Sequence, residues 1–116
     1  MAAKKPRDAR IRLVLSALDG DPKIAVPQLA KLVDLSQSQL ECVFKNELGI
    51  AIRDYRRELR LKRAKHLIAT TTMPLKEIPG HCGIPDLSNL SRNFKKRYGV
   101  PPAKYRRQRG NLRARG

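Results

Sequence analysis

Apolar residues in this chain recur at helical spacing, and no stretch alternates as a half-buried strand would. Ile11, Val14, Leu15 and Leu18 make one stripe, predicted to stop at Gly20 just after Asp19. Pro27 fits the first turn of a short helix whose apolar face is Leu29, Ala30, Leu32 and Val33. A third helix opens with Ser36 and Gln39 at capping-box spacing, runs through Leu40, Val43 and Phe44, and ends at Gly49. Between the second and third helices, Asp34 and Leu35 supply the turn. From Ile52 to Ala69 there is neither Gly nor Pro, and Tyr55, Leu59, Ala64, Leu67 and Ile68 recur among many Arg and Lys. This predicts one continuous basic helix, about 27 Å long at about 1.5 Å per residue.

Thr70, Thr71, Thr72, Met73 and Pro74 break that helix. A short segment from Leu75 to Cys82 follows, then a turn from Gly83 to Asp86 and a helix from Leu87 to Tyr98 stopped by Gly99. Pro101 and Pro102 start a last short helix carrying Tyr105, and the basic stretch from Arg109 to Gly116 reads as a solvated tail. Pro79 and Gly80 strain the Leu75–Cys82 segment, because an interior proline costs a helix about 3 kcal/mol or more. That segment is expected to be kinked or shortened, the second half of the chain to be the less stable, and Pro79→Ala to raise the melting temperature.

The chain repeats itself at an offset of 50. Ser38, Leu40, Phe44, Lys45, Gly49, Tyr55, Arg56 and Arg57 return as Ser88, Leu90, Phe94, Lys95, Gly99, Tyr105, Arg106 and Arg107, with Ile50 answered by Val100. The matches fall on helix-defining positions, so the fold is expected to be built twice: an all-α chain of two three-helix units joined by the long basic helix. The expected boundaries are 10–49 for the first unit, 50–70 for the connecting helix, 74–107 for the second unit and 108–116 for the tail.

Charge narrows the partner. Of 26 Lys and Arg against 10 Asp and Glu, residues 1–50 hold 8 and 6, leaving 18 and 4 for residues 51–116, a net of +14 in the second part. An excess of this size opposes compaction, and an anionic partner is its usual compensation. Composition alone fits a basic RNA- or ribosome-associated structural protein as well as a DNA-binding one. No apolar run approaches the roughly 20 residues that span a bilayer, so no membrane partner is expected, and the start lacks the apolar stretch of a secretory signal. Cys42 and Cys82 make neither a disulfide framework nor a zinc site, and burial is expected for both. His81 beside Cys82 and the isolated His66 have no further ligands near them in sequence. No metal, cofactor or catalytic grouping is expected, and the chain does not read as an enzyme.

A small residue (Ala30), a tight turn (Asp34, Leu35) and inward apolar positions on the next helix (Leu40, Val43) have the pattern of a helix-turn-helix. The segments Leu35–Leu40, Phe44–Gly49, Arg60–Lys65 and Phe94–Arg106, the last being the most specific, resemble the DNA-binding domain of the AraC/XylS family of bacterial transcription regulators. The resemblance covers roughly Ile11 to Arg107. It implies two helix-turn-helix elements joined by a long helix, each placing a recognition helix in a major groove of promoter DNA. It also implies a cytoplasmic, nucleoid-associated regulator with double-stranded DNA and RNA polymerase as partners. Family members carry an effector or dimerisation domain as well. This chain is expected to be the DNA-binding part without it, binding as a monomer.

Carried over by position, the resemblance implies base-reading roles for Gln37, Ser38, Glu41 and Cys42 in the first recognition helix, and for Leu87, Ser88, Ser91 and Arg92 in the second. Arg92 is the foremost of these, since Arg pairs bidentately with guanine. Glu41 and Cys42 stand where the family often has Gln and Arg; a carboxylate in the groove is repelled by phosphates unless it accepts from a cytosine amino group, and the spacing also fits a helix pair of Glu41 with Lys45, which is the expectation. Lys45, Arg53, Arg56, Arg57, Lys95, Lys96, Arg97, Arg106 and Arg107 are expected to hold phosphates. In the resemblance Pro79 takes the small-residue slot of the second motif, Ile84 that of a usual Phe, and Pro85 that of a polar turn residue. The second unit is therefore expected to favour phosphate contacts over base readout.

Overall fold

The computed structural model describes the backbone of residues 7–115 and the side chains of residues 7–109. Seven α-helices fill it, namely α1 (Ala9–Gly20), α2 (Val26–Leu32), α3 (Gln37–Leu48), α4 (Ile52–Thr70), α5 (Ile78–Cys82), α6 (Leu87–Tyr98) and α7 (Pro102–Arg115), with a 3-10 turn over Leu75–Glu77. There is no strand among the described residues. The chain divides into two compact units between Leu59 and Arg60, within α4, which is unbroken.

Local chemistry sets most helix ends of the first unit. Asp8 caps α1 by accepting from the Arg10 amide at 2.9 Å, and the Arg10 guanidinium hydrogen-bonded to the same carboxylate lowers its pKa to about 2. The expected capping box is present on α3: the Ser36 hydroxyl accepts from the Gln39 amide at 3.1 Å, and Gln39 Oε1 from the Ser36 amide at 2.9 Å. Gly49 ends α3 at φ 74°, and Gly99 ends α6 at φ 84°, a conformation open to glycine at no steric cost. Asp34 takes the same left-handed region at φ 59°. The Leu35 amide donates to the Ala30 carbonyl at 2.9 Å and the Asp34 amide to Lys31 at 3.2 Å, closing α2 in a Schellman motif.

The first core gathers Ile11, Val14, Leu18, Leu29, Ala30, Val33, Leu40, Phe44 and Ile52, with the Phe44 and Tyr55 rings edge to face at 5.5 Å. Leu15 is half-buried, and Leu32, expected inside, is 53% exposed. Leu29, Ala30 and Val33 already fill the inward arc of α2, and position 32 falls outside it. The second core gathers Leu61, Ala64, Ile68, Ile78, Cys82, Ile84, Leu90 and Phe94, with Phe94 against Tyr98 at 4.8 Å and Tyr105 at 5.6 Å.

Aligned, the two cores extend the duplication beyond its visible sequence matches. Ile11, Val14 and Leu18 on α1 answer Leu61, Ala64 and Ile68 on the second half of α4, again 50 residues apart. Helix α4 therefore closes the first unit with Ile52 and Tyr55 and opens the second with Leu61. The offset falls to 49 for Leu29 and Ile78, Val33 and Cys82, then returns to 50 at the caps Ser36 and Asp86. The extra residue is Pro85, which lengthens the second turn.

The Leu75–Cys82 segment is shortened, as expected, but Pro79 does not strain a helix interior. The 3-10 turn ends at Glu77 and α5 restarts at Ile78, so Pro79 is its second residue, where an amide would have no intrahelical partner. The last helix is longer than expected, running to Arg115 through residues read as a tail; Arg, Gln, Leu and Ala all favour helix. The side chains of 110–115 lie outside the described residues.

Candidate nucleic-acid interface

Each unit holds one twelve-residue helix by one face and frees the other. On α3, Leu40 and Phe44 are fully buried and Val43 is half-buried, while Gln37, Ser38, Glu41, Cys42 and Lys45 are exposed. On α6, Leu90 and Phe94 are buried and Ser88, Arg92, Lys95, Lys96 and Arg97 are exposed. The α6 face is held at its start by Asp86, whose carboxylate accepts from the Asn89 amide at 2.7 Å. Within α6, half-buried Asn93 donates to the Asn89 carbonyl at 2.9 Å.

Leu87, assigned to the reading face, lies elsewhere, and Ser91 stands at the edge of that face. Leu87 packs partly buried against the second core, because it sits three residues before Leu90 on the inward side, and Ser91 is half-buried. Cys42 departs from the expected burial in the other direction. It is exposed, with Asn46 Nδ2 3.7 Å from its sulfur, whereas Cys82 is buried as expected. Among the described residues, no ion pair joins Glu41 to Lys45. Both line a shallow concavity with Cys42, Asn46 and Arg53, where the end of α3 meets the start of α4.

The expected phosphate set also divides. Lys45, Arg53, Arg57, Lys95, Lys96, Arg97 and Arg107 are exposed, with Arg57 held by Asp54 at 2.8 Å. Arg56 and Arg106 are instead half-buried and turn into the fold. Arg56 donates to the Ile24 carbonyl at 2.8 Å, and Arg106 to those of Met73 at 2.7 Å and Ile68 at 3.1 Å. They cap the chain just ahead of the first helix of each helix-turn-helix. Sequence reasoning missed this role, although their repetition beside the half-buried Tyr55 and Tyr105 was a signal for it. It also missed Lys65, whose ammonium stands 4.5 Å over the Tyr98 ring. His66 and His81 lie exposed, and no group of metal-ligating side chains forms among the described residues. Among the described residues, no helix is long and apolar enough to cross a membrane.

A short helix, a tight turn and a capped second helix with one free polar face occur once in each unit, and this defines a double helix-turn-helix protein. A helix-turn-helix domain model matches residues 29–108. The chain is 33% identical over 104 residues to the arabinose operon regulatory protein of Salmonella typhimurium, covering 87% of this chain and 37% of that regulator. A transcriptional regulator of Chromobacterium violaceum with an AraC-type DNA-binding domain superposes with a TM-score of 0.78 at 27% identity, over 86% of this chain and 91% of that one. The DNA-binding domain of AdpA, solved with a target DNA, shares the fold with a TM-score of 0.83 at 22% identity, over 94% of this chain and all of that domain. The chain belongs to the AraC/XylS family of helix-turn-helix transcription regulators.

Proposed function

We propose that this chain is the DNA-binding unit of an AraC-type transcription regulator, acting on double-stranded promoter DNA in the bacterial cytoplasm and not as an enzyme. The observation that carries this is the pair of capped helices, α3 and α6, each with its apolar face locked in a core and its polar face free. A helix presented this way fits a major groove, whose edges distinguish all four base pairs. Arg92, exposed in the middle of α6, has the fork geometry for guanine O6 and N7. Lys45, Arg53, Arg57, Lys95, Lys96, Arg97 and Arg107 are exposed, which supports a role for them in neutralising phosphates, contacts that fix register and affinity without reading sequence. The net charge of +16 adds a long-range attraction to any polyanion.

The test compares affinities for a duplex selected from random sequence, for random duplex and for structured RNA at about 150 mM salt. A ratio of about 10³ or more for selected over random duplex is expected. A ratio near one, or equal binding to RNA, would leave only a basic protein that displays charge.

A further inference from the structure

The duplication lets one unit serve as the reference for the other. Buried repeated positions, such as Leu40 and Leu90 or Phe44 and Phe94, are explained by the cores. Ser38 and Ser88, Lys45 and Lys95, and Arg57 and Arg107 repeat while remaining exposed in both units, so packing does not account for their identity. Contacts to a uniform phosphate backbone would. The middle of the free face behaves oppositely. Glu41 and Cys42 on α3 answer Ser91 and Arg92 on α6, changing in size and charge between two helices with the same length and the same glycine stop.

Glu41 is the acidic member of the α3 free face, one turn after Gln37 and one turn before Lys45. A carboxylate there is repelled by phosphates at any sequence, so it weakens general attraction and has to be compensated by a donor on a base edge. In the major groove, cytosine N4 offers such a donor to Glu, whereas adenine N6 is flanked by the acceptor N7, which suits an amide better. Resting on the DNA-binding reading above, we propose that Glu41 is a specificity-determining residue that reads a cytosine through its amino group.

The experiment selects sites from random duplex DNA with the unaltered full chain and with Glu41→Gln, and measures both proteins on the selected site, on single-base variants of it and on random duplex. Glu41 is exposed, so the substitution leaves the fold intact, which circular dichroism checks. The unaltered chain should require cytosine at one position of its site. Glu41→Gln should lose that requirement, with discrimination there falling about tenfold or more, shift toward adenine, and leave preferences elsewhere unchanged. Its affinity for random duplex should rise severalfold as the repulsion is lifted. If Glu41→Gln tightens binding to every sequence alike and selects the same bases, the carboxylate reads nothing and this inference fails while the DNA-binding reading stands. If the unaltered chain enriches no site at all, the DNA-binding reading fails first and takes this one with it.

Discussion

The Arg106 guanidinium donates to the Met73 carbonyl at 2.7 Å across 33 residues of chain, and Arg56 makes the equivalent bond to Ile24 at 2.8 Å. Met73 and Ile24 each lie just before the residue that leads into the first helix of a helix-turn-helix, where backbone carbonyls are not bonded within a helix. A charged donor there does for the loop what a cap does for a helix end.

The two arginines are therefore expected to act on stability rather than on phosphate. Arg106→Gln should destabilise the second unit by about 1.5–3 kcal/mol, the range for hydrogen bonds from charged groups, read as faster amide exchange in α5 and α6. Its DNA affinity should fall without a change in the slope of log affinity against log salt. Arg57→Ala or Arg107→Ala should flatten that slope by about one unit. An Arg106→Gln slope that flattens like theirs would return Arg106 to the phosphate set.

Asp34 and Gly83 occupy the same place in the two turns, with φ 59° and 76°. Left-handed backbone costs a non-glycine residue roughly 1 kcal/mol, of which Asp recovers a part through its short polar side chain. Asp34→Gly should stabilise the first unit by about 0.5 kcal/mol after the added freedom of the unfolded chain is subtracted. A lower midpoint in denaturant would mean that the Asp34 side chain holds the turn by more than its backbone shape.

Much of this fold is legible in the sequence because its signals are local. Ser36 and Gln39 announce a helix start, Gly49 and Gly99 announce stops, and the Leu40–Phe44 and Leu90–Phe94 pairs fix which face is buried. Legibility fails where a residue's role depends on distant chain. Leu61 is hidden because α4 serves one core with Ile52 and Tyr55 and the other from Leu61 onward, so no single stripe runs its length. Arg56 and Arg57 are adjacent and chemically identical, yet only the folded chain turns one inward and leaves the other exposed beside Asp54. The same holds for Leu87 and Cys42, whose exposures follow from helix phase rather than residue type.

Gly80 and Pro79 are adjacent and should respond in opposite senses. A Cβ built on Gly80 meets nothing within 4 Å, and its backbone is helical. Gly80→Ala should therefore stabilise by about 0.5–1 kcal/mol. Pro79 is buried in the first turn of α5, where its ring contributes apolar area and its missing amide costs nothing. Pro79→Ala should lower the melting temperature, by the loss of about 1 kcal/mol of burial, contrary to the expectation from sequence alone. A rise on Pro79→Ala would show that the 3-10 turn and α5 are one helix held apart by the proline.

Tyr55 ties the first unit to alkaline pH. Burial raises the pKa of its phenol above the ordinary 10.0, and the negative charge of Asp19 adds to the shift. The folded state thus prefers the neutral phenol more strongly than the unfolded chain does. Its contribution to stability is fully present below pH 10 and is lost as pH rises from there through the folded value. In a Tyr98→Phe, Tyr105→Phe background, ultraviolet titration should find Tyr55 ionising above pH 10. Tyr55→Phe, which keeps the ring contact with Phe44, should remove part of the alkaline loss of stability. Ionisation at or below pH 10 would mean that the hydroxyl reaches solvent freely and that the edge-to-face pair with Phe44 does not shield it.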